Sequence, residues 1–472
     1  MKIGQAPVFH IENSYASGRK KRPRGPRSTP IIELARNLDV VPQRPLVDLK
    51  SQAITYFLYH HLQTPENVQN ISRSVSDDFL PVWKSGAECQ MLDLAVSSMA
   101  LATYSQTQRH LPAAIEASVD YQKLLQIAQV TTLFLTAENI DACLLAIFFM
   151  SRYEDAVHRP TQSNLKPSIV STLQSFSHHD GALAILKFWK DRLSKVQPAT
   201  EVIKHTRRGL IRSAILRTLA LPEWMMDGTI FGECGLELKY DCMVTRTVNV
   251  RKKLFAIING SDILHCTPYN VASRANELNQ EVQELDKTVK NLTAHFPSTW
   301  YYQRHALPEP HPWPIRDFYS PVVYSYSSPA YAAVWNQYYA TRMLINSTRL
   351  RILELCRPNS TNTFSEQRLE CFLNMNAMAN DLASSVPFCL QRIKVTASLN
   401  SSSDKDSIKL NTNEDIKPYV ARLLVWPLSI ASTVAHVGTQ QKSWFRSEIA
   451  RLGRIAGARV LECAETDEWL EI

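Results

Sequence analysis

The sequence predicts an all-α protein, and three observations carry that prediction. Only 13 of the 472 residues are Gly, while the 25 Pro gather in a few places, a pattern of helices joined by Pro-punctuated connections. Apolar residues recur at steps of three and four along most of the chain, as one face of a helix demands. A composition of 45% hydrophobic and 20% charged residues supplies enough apolar surface for a large core.

The elements follow in order. Leu46, Leu49, Ala53 and Phe57 form a first stripe, and Met91, Leu94, Ser98 and Leu101 a second. Helices are predicted over 112–130, 180–195 and 200–220, the last halting at Leu221-Pro222 because a residue before proline avoids helical backbone. Thr136, followed by Glu138, reads as the cap of a helix holding Ile140, Leu144, Ile147 and Phe148. The sharpest period is Leu278, Val282, Leu285, Val289 and Leu292. Two heptads are too few to hold a dimer, so this seam is expected to pack on the protein's own core.

Beyond that helix, Leu307 to Pro314 must be extended, since alternate prolines exclude helix. Ser328 as cap and Pro329 at the first helical position open a long helix running to Arg357-Pro358. Another, over about 366–385, is expected to stop at Val386-Pro387. Residues 396–417 are rich in Ser, Asn and Asp and read as a polar loop or linker. Helices over about 418–436 and 442–465 close the chain, and no strand-rich segment is read. The apolar run Tyr419 to Val437 contains Arg422, Pro427 and His436, which favours a buried helix over a membrane span.

Charge is concentrated at one end. Lys and Arg number 52 against 44 Asp and Glu, a net +8, and residues 1–30 hold seven of the basic groups with one acidic group. The body is therefore nearly neutral, and residues 1–30 are expected to be a disordered basic arm. The segment Met1 to Ser17 has no apolar core of the kind a secretory signal needs. Nine Cys with no C-x2-C pair argue against zinc-finger and thioredoxin-type sites, and reduced, buried thiols are expected at Cys143, Cys371 and Cys463.

The familiar motifs of nucleotide binding, serine hydrolysis and zinc peptidases are missing, and Asp77-Asp78 lacks the third carboxylate of a magnesium-binding cluster. The pairs His60-His61 and His178-His179 put adjacent side chains on different helix faces, so they read as structural histidines. No metal, no cofactor and no catalytic residue is assigned, and the chain is not expected to be an enzyme. What remains is Arg19, Lys20, Lys21, Arg22, Arg24 and Arg27, six cations in nine residues. Such a cluster suits the acidic groove of a nuclear import receptor, or DNA phosphates through counterion release.

Several segments bear a family likeness. They are Val282-Gln-Glu-Leu-Asp-Lys-Thr-Val-Lys-Asn-Leu with Phe296-Pro-Ser-Thr-Trp-Tyr-Tyr; Ala330-Tyr-Ala-Ala-Val-Trp-Asn-Gln-Tyr-Tyr-Ala-Thr-Arg342; Asp381-Leu-Ala-Ser-Ser-Val-Pro-Phe388; and Leu424-Val-Trp-Pro-Leu-Ser-Ile-Ala431 with Trp444-Phe-Arg and Arg454-Ile-Ala-Gly. In order and spacing the chain resembles the regulatory region of fungal zinc-binuclear-cluster transcription factors, over most of 45–470. The six-cysteine DNA-binding cluster of that family is absent. The resemblance implies a helical regulatory domain over 45–395, a polar loop over 396–417 and closing helices over 418–472. It further implies a nuclear regulator of a secondary-metabolite gene cluster, working through transcription machinery or a co-regulator, with DNA touched through the basic arm and no membrane partner. Two other readings remain open: an all-α enzyme, and a cytosolic helical scaffold with a solvated tail.

Overall fold

The computed structural model describes residues 48–62, 70–73, 75–84, 89–157, 175–217, 219–259, 268–307, 312–356, 361–396, 407–466 and 469. The described residues from Leu49 onward belong to one unit. The expected disordered arm, with Arg19, Lys20, Lys21, Arg22, Arg24 and Arg27, lies outside the described residues.

The protein is all-α. Its described helices are α1 (Leu49–His61), α2 (Phe79–Lys84), α3 (Gln90–Thr107), α4 (Leu111–Thr131), α5 (Ile140–Val157), α6 (Ser175–Phe188), α7 (Glu201–Arg217), α8 (Gly235–Asn259), α9 (Pro268–Leu292), α10 (Pro329–Leu355), α11 (Thr361–Cys389), α12 (Pro418–Thr433) and α13 (Thr439–Ala456). The first group, α1 with α3 to α6, packs largely on itself, whereas α8, α9, α11 and α12 all pack on α10.

That central helix starts where local chemistry dictates. The Ser328 hydroxyl accepts from the Ala330 N–H at 3.2 Å, with Pro329 in the first turn. Surrounded on every side, α10 buries polar residues as well as apolar ones, so each polar group needs a partner. Arg342 donates to both Asp286 carboxylate oxygens at 3.1 Å, and Asn346 adds a third bond to Asp286 at 3.0 Å. Asp286 sits on α9, whose seam Leu278, Val282, Leu285, Val289 and Leu292 is buried in the core as expected. Each such side chain contributes about 1.5–3 kcal/mol on burial.

Several expectations need correction. Helix α5 begins at Ile140, because Asn139 spends its side chain on a turn, accepting from the Thr136 N–H at 2.9 Å and donating to the Phe134 carbonyl at 3.0 Å. Helix α11 continues past Val386-Pro387 to Cys389, while α12 runs through Pro427 as expected. A proline forfeits one N–H bond, and burial of Val386, Cys389 and Leu428 outweighs that loss. The closing helix ends at Ala456, because Gly457 turns left-handed (φ 73°), and a 3-10 segment, Arg459–Glu465, follows. That break resets the helical stripe, which leaves Cys463 only half-buried while Cys143 and Cys371 are fully buried.

Two short antiparallel hairpins also form where no strand was read. β1 (Gln303–Ala306) pairs with β2 (Val322–Ser325), and β3 (Ile393–Thr396) pairs with β4 (Ser407–Leu410), which lies within the expected polar loop. They share a small apolar cluster of Leu307, Phe318, Val323 and Ile393. A buried ion network joins this lobe to α13: Asp317 meets Arg392 at 3.1 Å and also binds Arg451, which in turn binds Glu448.

Candidate ligand-binding cavity

A cavity of about 370 Å³ lies where α1, α5, α6, α7, α12 and the final 3-10 segment meet. Each long helix contributes one stripe. From α5 come Leu144, Ile147, Phe148, Ser151, Arg152 and Asp155, from α7 His205, Thr206, Gly209, Leu210, Arg212, Ser213 and Leu216, and from α12 Arg422, Leu423, Val425, Trp426, Ser429 and Thr433. Steps of three and four dominate each set, so the same periodicity that builds the core also builds the wall. The volume falls within the about 300–1,000 Å³ usual for small-molecule sites.

The charges on this wall are unevenly matched. Arg152 lies 3.8 Å from Asp155 and over the Phe148 ring at 5.3 Å. Arg212 donates to the Ile71 carbonyl at 3.0 Å, and Arg422 to the His61 carbonyl at 2.7 Å. Among the described residues, neither Arg212 nor Arg422 pairs with a carboxylate. Burial, with the Arg152 cation next in weight, pulls the Arg422 guanidinium down to about 9, and burial likewise lowers Arg212.

Three of the four paired histidines take defined places. His61 is buried on the wall and accepts from Arg422 at Nδ1, 3.4 Å away, while stacking on Phe57. His178 bonds Tyr121 at 3.2 Å, away from the cavity, and His179 meets the Ser213 hydroxyl at 2.7 Å on the wall. From the Asp77-Asp78 pair, Asp78 faces the buried Nδ1 of His205 at 2.5 Å. Ser72 Oγ, His205 Nε2, Thr206 Oγ1 and Trp426 Nε1, all on residues of the wall, have no hydrogen-bond partner among the described atoms.

None of these cavity residues was singled out as a binding residue from the sequence. The available signal was a charged residue inside an apolar stripe, Arg152 in α5 and Arg422 in α12. Among the described residues no three His, Cys, Asp or Glu side chains gather as a metal site, and no helix is long and apolar enough to cross a membrane. Compared with models of known protein families, with curated proteins and with solved structures, the chain matches none.

Proposed function

We propose that the protein is a nuclear transcriptional regulator whose helical body answers to a small molecule held in this cavity. The observation that carries the reading is the construction of the cavity, whose walls come from both ends of the body and include α12, a helix packed on α10. An occupant that favours one packing of α12 over another would shift the equilibrium between them, which is how a bound effector is passed on. The cluster Arg19, Lys20, Lys21, Arg22, Arg24 and Arg27 supports delivery by a nuclear import receptor and weak contact with DNA phosphates. The segments of α9 to α12 that resemble fungal regulatory domains support transcription as the output, through transcription machinery or a co-regulator. On the same likeness, the targets are a secondary-metabolite gene cluster.

Two measurements test this reading. Replacing Arg19, Lys20, Lys21, Arg22 and Arg24 with Gln should empty the nucleus of a tagged protein, and an unchanged nuclear signal would sink the import role. Fused to a heterologous DNA-binding domain, the chain should move expression of a matching reporter in one direction, and a flat reporter would remove the transcriptional role.

A further inference from the structure

The cavity wall carries two guanidinium groups, Arg422 and Arg212, that make no ion pair with a carboxylate among the described residues. Arg422 and Arg212 line one cavity, and their only described hydrogen bonds go to His61 and to the Ile71 carbonyl. Asp77 and Asp155 also face this space: Asp155 stands by Arg152, and the Asp77 charge favours the charged form of Arg422, against the stronger effects of burial and Arg152. A buried cation that no carboxylate contacts directly is costly, and a partner that brings a negative charge into hydrogen-bond reach relieves that cost.

A second observation is independent of charge. Trp426 follows Arg422 by one helical turn on the same face of α12, and its Nε1–H has no hydrogen-bond partner among the described atoms. The Thr206 and Ser72 hydroxyls are orphaned on the same wall. Indole and guanidinium groups are donors only, so the group they await must accept. The rest of the wall is mainly apolar, with Leu144, Ile147, Leu210, Leu423 and Trp469 around the space.

We infer that the cavity takes a small organic anion with an apolar body, its carboxylate or similar acid group seated on Arg422 and Trp426. Arg212 supplies a second positive centre that favours the same sign of ligand. This assignment rests on the reading of the cavity as an effector site and names the class of effector. Charge-assisted bonds from a guanidinium are roughly twice as strong as neutral ones, so the anion is separated clearly from its neutral analogue.

The test uses the full chain and three probes of one shape: decanoate, decan-1-ol and decylammonium. Binding is followed by calorimetry and by the fluorescence of wall residues Trp426 and Trp469. Decanoate should bind at least about tenfold more tightly than decanol, with decylammonium weaker still. Arg422→Met should abolish the preference for decanoate while leaving decanol binding in place, and Arg422→Lys should restore most of it. Equal binding of decanoate and decanol by the unaltered protein, no binding of either, or an undiminished preference in folded Arg422→Met would each overturn the inference. The comparison of probes on the unaltered chain stands even if a variant fails to fold. Arg422-dependent decanoate binding with a flat reporter would keep the ligand class and remove the regulator. An active reporter with no preference for the anion would do the reverse.

Discussion

Arg422 donates from Nη1 to the backbone carbonyl of His61 at 2.7 Å and from Nη2 to its Nδ1 at 3.4 Å, so one guanidinium holds both the end of α1 and its last ring. An imidazole that accepts at Nδ1 beside a cation must be neutral. Burial first, then Arg422 and His60, hold His61 well below its ordinary 6.5. Below pH 6.5 the unfolded chain therefore takes up a proton that the folded chain refuses, and stability present above 6.5 is lost as the pH falls towards the folded value. The urea midpoint should drop between pH 7.5 and 5.5, and the drop should be shallower in His61→Leu. Parallel pH profiles for the two proteins would count against this role.

A second prediction concerns a close approach in the core. Arg207 forks onto Asp241 at 2.6 and 2.9 Å, donates to the Met225 carbonyl at 2.6 Å and lies 4.8 Å from the Phe231 ring centre. The pinned carboxylate leaves no room at Gly228, where a Cβ would stand 2.4 Å from Asp241 Oδ2 and 3.0 Å from Glu233 Cγ. Gly228→Ala should cost about 1–3 kcal/mol through overpacking. Arg207→Met should cost about 3–5 kcal/mol by stranding a buried carboxylate. Denaturant unfolding checks both, and a Gly228→Ala midpoint equal to the parent's would refute the crowding.

Asp317 offers a cleaner test of buried charge. It sits at φ 69°, a region that Asn also adopts readily, so Asp317→Asn removes charge without adding backbone strain. The carboxylate stands between Arg392 and Arg451, and the Asp317 N–H donates to Glu448 at 3.1 Å. Losing it should cost about 3–5 kcal/mol in chemical denaturation, and the loss should shrink when Arg392 is also replaced by Met. Additive losses in the double variant would mean the two groups are not coupled.

The α9 seam separates core packing from self-association. Leu285→Ala should destabilise the fold by about 2–5 kcal/mol while the mass measured by light scattering stays that of the parent. A change of mass with little loss of stability would show instead that the seam joins two chains.

Local signals made most of the helices legible. Ser328-Pro329 announces α10 because a cap and a first-turn proline act within three residues, and the α9 seam is legible because its period needs no partner to be recognised. Pro387 misled for the opposite reason, since the burial that carries helix through it comes from distant segments. The hairpins escaped notice because each strand is only four residues long and owes its place to the cluster around Phe318. The cavity was the least legible part. Its wall is shared among helices far apart in sequence, and in the sequence Arg422 argues only against a membrane span.

The contact between His61 and Arg422 spans 361 residues, so the cavity takes shape only when one of the longest loops in the chain has closed. The entropy of that closure rises slowly, by about 0.6 kcal/mol for each doubling of loop length, whereas folding rates fall as contacts become less local. A molecule bound across those two residues meets no site while the chain is open and acts as a clasp once it is shut. Its mark on folding should then be a slower unfolding limb with the refolding limb unchanged, a kinetic signature that ligand and protein would share.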